Sequence, residues 1–226
     1  MSARDLFGTL SFCLVGGRPI FLDIARDKYL RLPPEAEASF VSYLDSGAAT
    51  ACAHVLADHG LTNRAANGAG VVQPPSLPLP SRSALEGITA NEPGLLANLM
   101  PVWAAITSTQ RHLRRRPLLQ VLSRLVAYRA LKTEPPATST AEHFDLRLLD
   151  SAAAFRRARP YVPTETVCLL DSIALVRFLA RRGLYAQLVF GVTDDPFSAH
   201  CWVQAGDLVL NDTVGDVSAH TPIRVI

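Results

Sequence analysis

The sequence has no closely spaced cysteines: Cys13, Cys52, Cys168 and Cys201 are scattered over 226 residues, and no CxxC pair occurs. That argues against a zinc ribbon, a thioredoxin-type motif and a disulfide scaffold, and a reduced, cytoplasmic protein is expected. The start, MSARDLFG, carries neither the basic nor the apolar region of a secretory signal. No apolar run reaches the ~20 residues of a spanning helix. The longest, GLLANLMPVWAAIT, is interrupted by Asn98 and Pro101 and is expected to form a core helix or helix pair. Charge of one sign is also scarce, with 22 basic against 20 acidic residues and a net charge of +2, so nothing demands a nucleic-acid or membrane partner. The one basic cluster, RHLRRRP, reads as the solvated end of a helix rather than a phosphate-binding patch. Glycine-rich nucleotide or phosphate loops, a GxSxG elbow and metal-spaced His or Cys pairs are all missing, so no metal, cofactor or serine nucleophile is expected.

What is present is ample apolar content, 49% of residues, with room for one large domain or two small ones. LFGTLSFCLV, PIFLDI and KYLRL, separated by GGR and ARD, predict a three-stranded meander; PPEAEASFVSYLDSG and ATACAHVLADHG predict two helices. TNRAANGAGVVQPPSLPLPSRS is rich in Pro, Gly, Ser and Asn and reads as a linker. The expected layout is α+β: a small domain over residues 1–65, a linker over 66–83 and a larger domain over 84–226. Within the latter, helices are expected over 84–131 and 142–158, with a break at TEPPATST, followed by a further helix and three strand-like runs.

The further helix is TETVCLLDSIALVRFLARRG, with Thr164 or Thr166 as N-cap, Asp171 early, Arg181 and Arg182 late, and Gly183 as its stop. Its apolar residues leave a narrow polar strip, so burial on most sides is expected. Cys168 lies in its first turn, where free N–H groups and the helix dipole favour a thiolate. Free cysteine also packs well as a small hydrophobe. Between these readings the decision falls to whether a base lies nearby.

SAHCWVQ carries His200 and DLVLND ends in Asp212, which completes an inventory of nucleophile, base and orienting carboxylate. With a three-residue loop of Ala205, Gly206 and Asp207, Gln204 faces Leu208 and His200 lies opposite Asp212, with Cβ atoms about 5 Å apart. A two-residue loop breaks that pairing. Alternation turns Cys201 and Asn211 to the other face, and core packing is expected for Cys201. By pattern alone His54, His59, His112, His143 and His220 show no partner and are expected to be ordinary surface or core residues.

The run CLLDSIALVRFLARRGLYAQLVFGVTDDPFSAHCWVQAGDLVLND resembles the leader peptidase domain of lasso peptide biosynthesis B proteins, a branch of the transglutaminase-like, papain-related cysteine proteases. RRG, FGV, PFSAHCWV and VLND carry the resemblance, which covers roughly residues 140–226. It implies Cys168, His200 and Asp212 as the catalytic residues. Cys201 stands where that family usually has alanine, and Gln204 where it usually has glutamate. The N-terminal strands with YLRLPPEAEASFVSYL are similar to the precursor recognition element of such proteins, a winged-helix-type domain like the cofactor-maturation chaperone PqqD. That implies β-augmentation, the leader adding to the edge KYLRL beside a groove from AHVLADHG, with Lys28, Tyr29, Leu30, Arg31, Val55 and His59 as peptide-binding candidates. The activity implied is hydrolysis of the leader–core bond of a ribosomally made precursor, with that precursor and an ATP-dependent macrolactam cyclase as partners. An inert leader-binding chaperone and an acyltransferase of the same fold are the alternatives.

Overall fold

The computed structural model describes residues 9–61, 77–86, 94–133 and 141–226. Most of the expected linker, and the break at TEPPATST apart from Thr133, lie outside these residues. The architecture is mixed α+β, with a three-stranded and a five-stranded sheet.

The N-terminal meander forms as expected: β1 (Leu10–Val15), β2 (Arg18–Asp23) and β3 (Lys28–Leu30) pair antiparallel in that order. Alternation sorts its side chains into two cores. Leu10, Phe12 and Phe21 face α1 (Pro34–Asp45) and α2 (Ala49–Asp58), where they meet Phe40, Cys52 and Leu56. Phe40 sits edge-on to Phe12 at 5.5 Å and to Phe21 at 5.3 Å, the geometry that aromatic quadrupoles prefer. Cys13, Ile20, Leu22 and Ile24 face the other way and belong to the main core. β2 is therefore covered on both sides, which explains why PIFLDI is continuously apolar instead of alternating.

The second sheet runs β4-β7-β6-β5-β8, comprising β4 (Arg82–Ser83), β5 (Gln187–Thr193), β6 (Ser198–Ala205), β7 (Leu208–Val209) and β8 (Thr221–Val225). β4 is parallel to β7, and the other pairs are antiparallel. Around its helical side lie α3 (Leu95–Arg115), α4 (Leu118–Lys132), α5 (Ala141–Ala158) and, in their midst, α6 (Cys168–Arg181). Ile173, Ala174, Leu179 and Ala180 of α6 are fully buried, as its near-uniform hydrophobicity requires. GLLANLMPVWAAIT proves to be part of the single helix α3, with Pro101 inside it, and RHLRRRP ends that helix with Arg114 and Arg115 in solvent, where cations suit the dipole.

Three local expectations are corrected. α6 begins at Cys168 with Val167 as N-cap and no side-chain capping bond, so neither Thr164 nor Thr166 caps it. The cause is Arg159, whose guanidinium gathers the carbonyls of Val162, Thr164 and Glu165 and holds that segment as a loop. The β6–β7 connection has two residues, Gly206 and Asp207, since Gln204 pairs with Val209 and Ala205 with Leu208. DLVLND is a strand only at Leu208–Val209, while β8, unanticipated, closes the sheet against β5.

Because Leu22 packs into the main core, Leu22→Ala is expected to cost about 2–5 kcal/mol and to lower the midpoint of one cooperative unfolding transition of the whole chain. Two transitions in denaturant, with only one shifted, would show instead that the N-terminal sheet is independently stable.

Candidate active site

Cys168 is the first residue of α6 and the one exposed cysteine among Cys13, Cys52, Cys168 and Cys201. With no side-chain cap at this end, the N–H groups of the first turn keep their donor capacity. The Cys168 thiol is pulled down to about 4 by the Cys201 thiol, then by the His200 ring and the Cys201 backbone N–H, against partial burial that pushes it up. It is a thiolate at neutral pH.

The helix start is pinned onto β6 by side chains without distinctive motifs. Ser172, one turn after Cys168, donates from Oγ to the Cys201 carbonyl at 3.1 Å. Asn211 donates from Nδ2 to Ser172 Oγ at 2.9 Å, and its Oδ1 accepts from the Val203 N–H at 2.7 Å. Just before the cysteine, Arg159 donates from Nε to Asp171 Oδ1 at 2.6 Å, which ties the preceding loop to the same first turn. Ser172, Asn211 and Arg159 were not among the sequence candidates, because their partners are backbone carbonyls and residues distant in sequence.

His200 lies on β6, and its Nε2 hydrogen-bonds Asp212 Oδ2, which leaves Nδ1 for the Cys168 sulfur. The two meet despite the two-residue loop. β7 stops at Val209 and the chain then bends, so Asp212 reaches His200 from a loop rather than from a paired strand. That loop is fixed at both ends: Ser83 of β4 donates to the Asp212 carbonyl at 2.5 Å, and the Thr213 N–H donates to Asp212 Oδ1 at 2.8 Å. Burial opposes the charge on Asp212, but the His200 and Thr213 bonds keep its carboxyl below the usual range. The His200 imidazolium is raised to about 9, chiefly by Asp212 and then by Cys168.

The His200 ring lies between Trp202, 6.2 Å away and nearly parallel, and His220, 5.3 Å away. His220, expected to be unremarkable, is thus part of the site; its Nδ1 donates to the Asp216 carbonyl at 2.8 Å. Gly191, opposite His200 in the β5–β6 pairing, makes room for this stack, because a Cβ there would sit 2.7 Å from the Trp202 ring and 3.0 Å from His220 Cβ. Fully buried Gln204 accepts from Trp202 Nε1 at 2.9 Å and donates to the Pro78 and Gly206 carbonyls at 2.8 Å each. A glutamate in its place could not donate to both carbonyls.

The peptide-binding candidates do not gather in one place. Tyr29 packs against Phe197 at 5.7 Å, and Arg31 donates to the Asp194 carbonyl at 3.2 Å, so both face the β5–β6 turn. Leu30 and Val55 pack on the Phe40 core instead. Val55 and His59 also line a cavity of about 300 Å³ between α1 and α2, together with Ala36 and Ser39. Lys28 is exposed on β3, which is an edge strand. Among the described residues no cluster of three or more His, Cys, Asp or Glu could hold a metal ion, and no helix is long and apolar enough to cross a membrane.

A sequence profile of the transglutaminase-like superfamily matches residues 110–225, which include Cys168, His200 and Asp212. The microcin J25-processing protein McjB of Escherichia coli is 49% identical over 45 residues, a stretch covering 20% of this chain and 22% of that protein. No solved structure matches.

Two outcomes test the geometry. In Asp212→Asn the ring of His200 is expected to titrate well below the wild-type midpoint of about 9, because the bond that favours imidazolium is weakened, as followed by NMR of the ring nitrogens. Gly191→Ala is expected to destabilise the fold by about 1–3 kcal/mol in thermal unfolding and to shift the Trp202 and His200 resonances, since the rigid indole cannot yield without moving its neighbours.

Proposed function

The chain belongs to the transglutaminase-like superfamily, and we propose that it is a cysteine peptidase that removes the leader from a ribosomally made peptide precursor of the lasso type. The observation that carries this reading is the exposed Cys168 at an uncapped helix start, held as a thiolate beside a His200 that bonds Asp212. Partial identity to a microcin-processing protein supports the choice of substrate class.

In this reading Cys168 attacks the scissile carbonyl, and the free N–H groups at the start of α6 take the charge that develops on its oxygen. His200, protonated below about 9 beside a Cys168 that is a thiolate above about 4, gives its proton to the leaving amine. Asp212 keeps Nδ1 turned to the sulfur throughout. Water, deprotonated by the now neutral imidazole, then hydrolyses the thioester and returns the site to its starting state.

Residues 1–65 act as the recognition domain, 66–83 as linker and 84–226 as the peptidase. The leader adds as a strand to β3 at Lys28, Tyr29, Leu30 and Arg31, and reaches the α1–α2 groove at Val55 and His59. Capture at that edge makes cleavage effectively intramolecular, so the catalytic cleft needs little selectivity of its own. The product is a core peptide with a free amine, the substrate an ATP-dependent macrolactam cyclase requires, and that cyclase is the proposed partner.

Mass spectrometry of a candidate precursor incubated with the wild type and with Cys168→Ala tests the proposal, with leader binding by the variant followed in parallel. Cleavage by the wild type alone, with binding retained in the variant, is expected. Equal cleavage by both would remove Cys168 as the nucleophile. Binding without cleavage by either would mark a leader-binding chaperone, and an amine adduct in place of free acid would mark an acyltransferase.

A further inference from the structure

Cys201 is one residue beyond His200, yet its side chain turns into the core, where it is 3% exposed. It is not simply packing there. The Ser172 bond to its carbonyl and the Asn211 bond to Ser172 place the first turn of α6 directly over this part of β6, and Cys168 is the residue one turn before Ser172. The two sulfurs are consequently neighbours, one open to solvent and one sealed beneath it. We propose that Cys201 is a positioning residue for Cys168, its thiol donating a hydrogen bond to the Cys168 sulfur so that the nucleophile is held as a thiolate turned toward His200. The proposal rests on the reading of Cys168 as nucleophile and adds a donor that the Cys–His–Asp set does not contain.

An S–H group is a weak donor in water, where it competes with solvent, but a buried one has no such competitor and the local dielectric is low. Two adjacent thiols also do not ionise together. The hydrogen bond to Cys168, then burial and the Cys168 charge, push the Cys201 thiol far up, while Cys168 is drawn down, so the proton stays on the inner sulfur and the outer one reacts. The Cys201 backbone N–H acts on the same sulfur, so the residue reaches it through two groups, of which substitution of the side chain removes one. Alanine would fill the site without donating. Serine would keep a donor in nearly the same place.

The test is the pH dependence of iodoacetamide alkylation at Cys168, located by peptide mass spectrometry, in the wild type, Cys201→Ala and Cys201→Ser, with a phosphine reductant keeping all sulfurs as thiols. For Cys201→Ala the midpoint is expected to rise by about one pH unit or more, which slows alkylation roughly tenfold on the acid side of the profile. Cys201→Ser is expected to restore most of the wild-type profile, which a purely structural role would not predict. An unmoved midpoint in Cys201→Ala, or equal shifts in both variants, would overturn the proposal. Circular dichroism confirms that the variants are folded. Alkylation needs no precursor, so a peptide that goes uncut while the midpoints shift as expected would sink the peptidase reading alone. A wild-type midpoint at the value of an ordinary thiol would remove the nucleophile and this inference together.

Discussion

The site depends on the seating of the first turn of α6 on β6, fixed by three hydrogen bonds that run from Asn211 to Ser172, from Ser172 to the Cys201 carbonyl, and from the Val203 N–H back to Asn211. The Ser172 bond is buried and the two Asn211 bonds are partly so, and such a bond contributes more than one at a surface, while an unpaired member would be costly. Helix and strand meet here at one residue of precision, so Cys168 and His200 face each other without either being on a flexible tip. The hydrophobic face of α6 supplies the adhesion, through residues such as Ile173 and Leu179, but adhesion alone leaves rotation and sliding free. The polar bonds remove that freedom.

Electrostatics follow from that placement. Three groups that would ordinarily hold their protons in different ranges sit in contact: a thiol, an imidazole and a carboxyl. Each is partly desolvated, and that alone would discourage charge on every one of them. Their alternating signs overcome this, since the thiolate and carboxylate flank one imidazolium and each finds a compensating partner. Nearby, Arg159 and Asp171 form a second, largely enclosed ion pair, with side-chain exposures of 10% and 14%. Its desolvation cost is offset by the three loop carbonyls that Arg159 also gathers, so the pair orders the segment leading into Cys168 more than it adds net stability.

Much of this was legible in the sequence because it followed local rules. The meander, the helices and the buried character of α6 come from periodicity, and the convergence of Cys168, His200 and Asp212 came from their residue types and order. The parity argument failed in an instructive way. It assumed that DLVLND stays paired to its end, whereas pairing stops at Val209 and the Ser83 bond then fixes the position of Asp212. Ser83 is more than a hundred residues earlier in the chain, at the end of a segment without periodicity, and nothing local marks it. Arg159 was invisible for a related reason: its partners are backbone carbonyls, which carry no sequence signature. β8 was missed because TPIRVI is short, includes a proline, and acquires its strand character only by pairing with β5.

The same dependence on distant partners joins the N-terminal sheet to the β5–β6 hairpin. Tyr29 of β3 and Arg31, just past its end, both meet the β5–β6 turn, Tyr29 against Phe197 and Arg31 against Asp194. Burial raises the Tyr29 phenol, and the nearby Cys201 and Cys168 sulfurs add to the rise, which places this edge residue within electrostatic range of Cys168. Phe197 in turn lies in the β5–β6 turn, one residue before β6 begins and three before His200. The backbone of this edge strand stays open in the plane of the sheet while its side chains brace the β5–β6 hairpin, because backbone bonds lie in that plane and side chains stand perpendicular to it. The β3 edge and the strand that carries His200 are therefore braced against each other through two side-chain contacts.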